Sequence, residues 1–173
     1  MENGINALLA KVAAGDAAAL EALYRNLGNG VYCYALSLLS DAGAAEDVLQ
    51  DTFVRVFSAA HGRKPGKSGK AWVYAIAKNL CFDRLRAKKR AAPMAEGGGP
   101  EDPADPAALD FVADTELKEA LAGLDGDSRS IVLLHLASGL KFREIAALLE
   151  RKQSKVEWAY YSAVRRLSEY YRV

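Results

Sequence analysis

Residues 71–90, Ala-Trp-Val-Tyr-Ala-Ile-Ala-Lys-Asn-Leu-Cys-Phe-Asp-Arg-Leu-Arg-Ala-Lys-Lys-Arg, join an apolar helical face to a densely basic end. A helix of this build docks on its own domain through the apolar face and presents Lys78, Asn79, Arg84, Arg86 and Lys88 to a polyanion. The chemistry is recognition, because the groups that would make or break bonds do not converge anywhere in the chain. His61 and His135 have no neighbours at metal-ligand spacing, and neither they nor the cysteines stand beside a carboxylate at a usable interval. Cys33 and Cys81 lie inside apolar helical patterns and read as buried thiols. Gly62-Arg-Lys-Pro-Gly-Lys-Ser68 contains Gly-Lys-Ser but lacks the glycine at the required offset and a strand before it, so it is not an ATP phosphate loop. No catalytic residue, metal or cofactor is expected.

A formal net charge of +1 conceals a strongly uneven distribution. Residues 1–90 carry 13 basic and 8 acidic groups, 91–128 carry 1 and 10, and 129–173 carry 9 and 4. Two basic lobes flank an acidic bridge, and a nucleic-acid backbone responds to the local field of a patch rather than to the sum. No run approaches 18 apolar residues and the first residues lack a basic stretch followed by an apolar one, so a cytoplasmic protein without membrane insertion is expected.

The elements that position these groups are helical throughout; period-two alternation nowhere persists. Helices are expected over 5–14 and 17–27, broken by Gly15-Asp16, then over about 30–39, 44–60 and 70–90, with Val48, Phe53, Val56 and Phe57 facing the other helices. Between Ala91 and Ala107, breakers in an acidic background centred on Gly97-Gly98-Gly99-Pro100 predict a flexible linker. Four further helices are expected near 110–124, 127–138, 142–149 and 154–171. The fold class is therefore all-α: a domain over 1–90, a flexible acidic linker over 91–107 and a second small domain over 108–173, the two having separate cores and variable relative placement.

Within the second domain, Gly139-Leu-Lys-Phe-Arg-Glu-Ile-Ala-Ala-Leu-Leu149, a short polar turn, and Ser154 as N-cap of a further helix read as a helix-turn-helix, with a plain helical hairpin as the alternative. In the first domain Glu46, Asp47, Gln50 and Asp51 line one acid-rich edge of a helix, which suits a protein partner better than a nucleic acid, or is simply a solvated face.

Both domains carry a family resemblance. Residues 45–57, Ala-Glu-Asp-Val-Leu-Gln-Asp-Thr-Phe-Val-Arg-Val-Phe, resemble the A-E-D-x-x-Q-x-x-F-x-x-x-(W/F) segment of bacterial RNA polymerase sigma factors of the short, extracytoplasmic-function kind, and residues 71–86 resemble the A-W-L-x-x-I-A-x-N-x-x-x-D-x-x-R signature of the same family. Leu121, Leu124, Arg129 and Leu133 match its L-x-x-L-x-x-x-x-R-x-x-x-L lead-in, and Arg143–Leu149 its x-E-I-A-x-x-L helix. The resemblance implies a dissociable initiation factor that binds core RNA polymerase through Glu46, Asp47, Gln50, Asp51 and Phe53. It implies that Lys64, Lys67, Lys70, Lys78, Asn79, Arg84, Arg86 and Lys88 meet the proximal promoter element. Arg143, Lys152, Ser154, Lys155, Glu157, Trp158 and Arg165 would meet the distal one, and an anti-sigma protein would be a further partner.

The chain departs from the family pattern in the second helix of the helix-turn-helix. Glu150 stands where the turn usually has Gly, and Ser154-Lys155-Val156-Glu157-Trp158-Ala159 replaces the usual Gly-Thr-Val-Lys-Ser-Arg. Glu157 repels phosphate but can accept from a cytosine amine. Trp158, Tyr160, Tyr161, Tyr170 and Tyr171 make this helix unusually aromatic, as core, as a protein-binding surface or as a DNA contact. Two other readings stay open: a stand-alone helix-turn-helix regulator, and a protein-interaction module descended from a sigma factor.

Overall fold

The structure is a computed structural model that describes residues 2–64, 66, 68–91 and 115–170. Lys67, Tyr171 and all but the first residue of the expected linker lie outside the described residues. The described residues form helices α1 (Glu2–Ala13), α2 (Ala17–Leu39), α3 (Ala42–Ala59), α4 (Gly69–Ala91), α5 (Thr115–Ala122), α6 (Gly126–Leu136), α7 (Phe142–Leu149) and α8 (Gln153–Tyr170), with a short 3-10 turn at Ala60–Gly62.

Local sequence sets the helix starts. Asp16 and Asp41 accept from the backbone N–H groups of Ala19 and Ala44 at 3.1 and 2.9 Å, so each caps a helix whose first donors would otherwise lack a partner. Gly15, with φ +88°, makes the left-handed turn between α1 and α2. Asp125 caps α6 through the Ser128 N–H at 2.8 Å.

One expected break is absent: the helices read over 17–27 and 30–39 are a single helix α2 that runs through Gly28-Asn29-Gly30. Two glycines within a helix each cost about 1 kcal/mol relative to alanine, and close packing explains their presence. A Cβ built on Gly30 would lie 2.3 Å from the Tyr74 hydroxyl, and one on Gly28 would touch the Tyr24 ring and Leu49. Local propensity gives way here to tertiary contact.

The expectation of separate cores is also corrected. One apolar cluster contains Leu23, Val31, Val48, Val73 and Tyr74 from the first lobe together with Ile131, Leu134, Leu140, Ile145, Leu148 and Val156 from the second. Helix α6 lies against α2, and α7 against α4. A satellite cluster of Leu121, Leu124, Val132 and Ala163 joins α5 to α6 and α8. Two small helical lobes that each bury little area gain by burying it against each other, since each buried aliphatic side chain contributes roughly 1.5–3 kcal/mol. Phe57 does not face this core; it is exposed, as is Val54.

Arg129 supplies the polar counterpart inside the second lobe. It is 2 % exposed, and its guanidinium donates to the carbonyls of Leu121 at 3.0 Å and Leu124 at 2.6 Å. Leu121 lies in the last turn of α5, where its carbonyl also accepts from the Leu124 N–H at 3.2 Å, and Leu124 stands just past the helix end. The L-x-x-L-x-x-x-x-R spacing thus places a fork of donors under a helix C-terminus.

Gly30→Ala should displace the Tyr74 hydroxyl and destabilise the protein by about 1–3 kcal/mol, read as a lowered denaturation midpoint; an unchanged midpoint would show that the helices separate easily there. Burial pushes the Cys33 thiol up to about 11 and the Cys81 thiol up to about 12. Both should therefore resist alkylation at pH 8 in the native protein and react at once in denaturant, because the thiolate is the nucleophile.

Candidate functional site

Helix α3 builds the acidic edge. Val48 and Phe53 are buried beneath it, Phe53 with its ring centroid 5.0 Å from that of Tyr24, while Glu46, Asp47, Gln50 and Asp51 are exposed. Phe53, expected among the polymerase-facing residues, therefore supports the edge from below. The outer face continues through Val54 and Phe57, 67 % and 46 % exposed, so the acid-rich edge runs into an apolar strip. Residues 46, 50, 54 and 57 follow helical spacing, and this would have been readable had Phe57 not been assigned to the core.

Helix α4 carries the basic series, and the structure divides it in three. Arg86, Lys88 and Asn79 are exposed, with Arg86 bonded to Asp83 at 2.5 Å. The cations Lys88, Lys89 and Arg90 occupy the last turn, where the helix dipole favours positive charge. Arg84 instead reaches back to α3, bridging Asp47 at 3.2 Å and Asp51 at 3.1 Å. It was expected on DNA; here it organises the acidic edge.

Lys70 and Lys78 form the third group and point into the second lobe. The buried Lys70 amine donates to the Ser138 carbonyl at 2.8 Å. Lys78 donates to the Leu148 carbonyl at 2.6 Å and pairs with Glu150 at 3.1 Å. Ser138 follows the end of α6 and Leu148 lies in the last turn of α7, so each amine satisfies a carbonyl at a helix C-terminus and meets the negative end of its dipole. In this closed arrangement neither amine faces solvent DNA. Glu150 holds a left-handed conformation, φ 56°, that favours glycine, yet its carboxylate supplies the bridge to Lys78.

Between the lobes lies a cleft of about 680 Å³. It is lined by Lys64 and Ser68 of the basic loop before α4, by Trp72 of α4 and by Arg143 of α7, so that Lys64 and Arg143, expected on different promoter elements, share one cleft. Trp72 packs against the apolar core only in part and lines this cleft. Arg63, not singled out in the sequence, is held on the first lobe by donating to Asn6 at 2.6 Å.

Helices α7 and α8 and the turn between them form the helix-turn-helix. Glu144 reaches back to the Lys141 N–H at 2.8 Å to start α7. Helix α8 begins one residue before the expected Ser154 cap, so Ser154 sits in its first turn. Val156 and Ala163 are buried, while Lys152, Ser154, Lys155, Trp158, Tyr161 and Arg165 are exposed. Glu157 accepts from Gln153 at 2.7 Å. Tyr160 goes inward, into a ring cluster with His135 and Phe142, their centroids 4.7 and 5.0 Å from its own.

Among the described residues no group of three His, Cys, Asp or Glu could hold a metal, and no helix is long and apolar enough to cross a membrane. Replacing both cross-lobe amines, in Lys70→Met with Lys78→Met, should leave two carbonyls without donors, at roughly 1–3 kcal/mol each, and open the molecule. Small-angle scattering should show a larger radius of gyration. An unchanged radius would mean that the shared apolar core alone keeps the lobes closed.

Residues 23–91 match the family model for Sigma-70 region 2, and residues 114–172 match that for Sigma-70, region 4. A probable RNA polymerase sigma-C factor of Mycobacterium bovis is 30% identical over 149 residues, covering 85% of this chain and 80% of that protein. The ECF RNA polymerase sigma factor SigE of Mycolicibacterium smegmatis is 30% identical over 167 residues, covering 91% of this chain and 65% of that protein. Among solved structures, CnrH in complex with the cytosolic domain of CnrY has a similar fold, with a TM-score of 0.66, 23% identity and 96% of each chain covered. The sigma factor RpoE of Bartonella quintana in complex with the anti-sigma factor NepR also matches at 0.66, with 22% identity over 88% of this chain and 96% of that one. With both sigma regions matched in order and a relative spanning most of its length, the chain belongs to the extracytoplasmic-function family of RNA polymerase sigma factors.

Proposed function

We propose a division of labour within this sigma factor. The outer face of α3 docks on core RNA polymerase through Glu46, Asp47, Gln50 and Asp51, with Val54 and Phe57 extending the contact. The basic loop and α4 meet the proximal promoter element, and α8 meets the distal one. The observation that carries the docking assignment is the Arg84 bridge. One guanidinium holds Asp47 and Asp51 in fixed positions beside exposed apolar side chains, and a preorganised polar rim around an apolar centre is the usual composition of a protein interface.

The proximal contact requires opening, since Lys70 and Lys78 are engaged across the lobes while Asn79, Arg86 and Lys88 are accessible. Capture of separated strand would favour promoter melting through binding energy available only to exposed bases. The factor would thus contribute specificity, leaving phosphoryl transfer to the polymerase. An anti-sigma protein fits as a further partner: the two structural neighbours were both solved with protein partners, one named an anti-sigma factor.

Size-exclusion chromatography with core polymerase tests the docking edge. The wild-type chain should coelute at micromolar concentration and Asp47→Arg should not. The double variant Asp47→Arg with Arg84→Asp restores an internal ion pair of reversed sense. It should fold normally and still fail to coelute. Coelution of the double variant would make the acids structural only, and failure of the wild type would remove the assignment.

A further inference from the structure

The outward face of α8 presents a stripe that the helix-turn-helix assignment does not by itself explain. Lys155, Trp158, Tyr161 and Arg165 recur at three- and four-residue intervals opposite the buried Val156 and Ala163. Trp158 is 74 % exposed and Tyr161 62 %, the largest exposures among the described aromatic side chains. Isolated aromatic exposure is common, but here two rings stand between two cations on the helix that follows the turn. Ten residues separate Lys155 from Arg165, roughly 15 Å along a helix, which is enough to reach phosphates on either side of a major groove about 12 Å wide. A helix seated so would set the two rings against the base edges between those phosphates.

We propose that Trp158 is a specificity-determining residue of the distal promoter contact and reads the C5-methyl group of thymine in the major groove, with Tyr161 beside it. The inference rests on α8 being the distal DNA contact. Thymine alone among the DNA bases presents an apolar group on the major-groove edge, and the broad apolar face of an indole matches that group better than it matches any donor-acceptor pattern. The polar and basic side chains usual in the family at these positions can make several hydrogen bonds, whereas Ala159 makes none and Trp158 offers a single indole N–H donor beside a broad apolar face.

The neighbouring acids fit this assignment. Glu157 is drawn toward Gln153, 2.7 Å away, and off the stripe. Glu169 pairs with Arg165 at 3.1 Å in an exposed bridge, and such bridges are weak enough to exchange for a phosphate. The stripe is also exposed while the lobes are closed, whereas Lys70 and Lys78 are not.

The decisive experiment uses the full chain bound to core polymerase. Duplexes randomised at the distal element are selected for binding, and thymines in the winning sequence are then replaced one at a time by deoxyuridine, which lacks only the methyl group. At one or two positions the replacement should weaken binding about three- to tenfold. Trp158→Ala should bind the thymine duplex with the same loss and respond to deoxyuridine no further, while Trp158→Phe should keep part of the response. Circular dichroism of the variants shows that each is folded.

If deoxyuridine changes nothing at any position while promoter-dependent initiation persists, the inference is overturned and the sigma-factor assignment stands. If selection with wild-type holoenzyme enriches no sequence at all, α8 as the distal contact falls with it. A Trp158→Ala chain that binds the selected DNA normally but loses affinity for core polymerase would assign the ring to a protein contact, and would likewise overturn the proposal.

Discussion

The fold is closed by charged amines on the ends of helices. An α-helix leaves its last carbonyls without intrahelical partners, and three such ends lie near the lobe boundary or just behind it. Lys70 reaches the end of α6, Lys78 the end of α7 and Arg129 the end of α5. Each cation is removed from water, which is costly unless hydrogen bonds compensate, and each recovers that cost at a carbonyl whose dipole already favours positive charge. The apolar cluster shared by α2, α4, α6 and α7 lies beside the two lysine contacts, of which the Lys70 one is buried and the Lys78 one partly so.

This arrangement sorts the basic residues by destination rather than by position along the chain. Arg84 turns to the acids of α3, Lys70 and Lys78 to the second lobe, while Lys88 and Arg86, the latter beside Asp83, stay on the exposed surface. A single run of positive charge therefore serves an internal ion-pair rim, a cross-lobe closure and an open basic surface. Binding of a polyanion to the whole run would have to compete with the first two.

Much of this was legible in the residues. The break at Gly15-Asp16 marked a helix start because the side-chain cap is a local interaction, and the helix-turn-helix was legible because apolar periodicity and a polar turn are local too. The merger of two expected helices into α2 was not, since the reason for tolerating Gly28 and Gly30 lies in Tyr24, Leu49 and the Tyr74 hydroxyl, the last two on other helices. The separate cores were misjudged for the same reason: the periodicity of α6 and α7 shows an apolar face without showing what covers it. Lys70 and Lys78 read as free cations because a bond to a backbone carbonyl leaves no trace in the identity of its acceptor. The acids of α3 are exposed, as their spacing implies, but the apolar continuation at Val54 and Phe57 was not legible, because a phenylalanine at helical spacing looks like core.

That last property of the lysine contacts bears on how such a chain can change over time. Because Lys70 and Lys78 grasp main-chain oxygen at Ser138 and Leu148, most substitutions in the second lobe neither create nor remove their acceptors. The outward face of α8 is consequently free to drift to a new set of side chains while the closure persists unaltered. The conformational equilibrium of the factor and its sequence preference are then separately heritable traits, and paired substitutions across the lobes would record little of the contact that joins them.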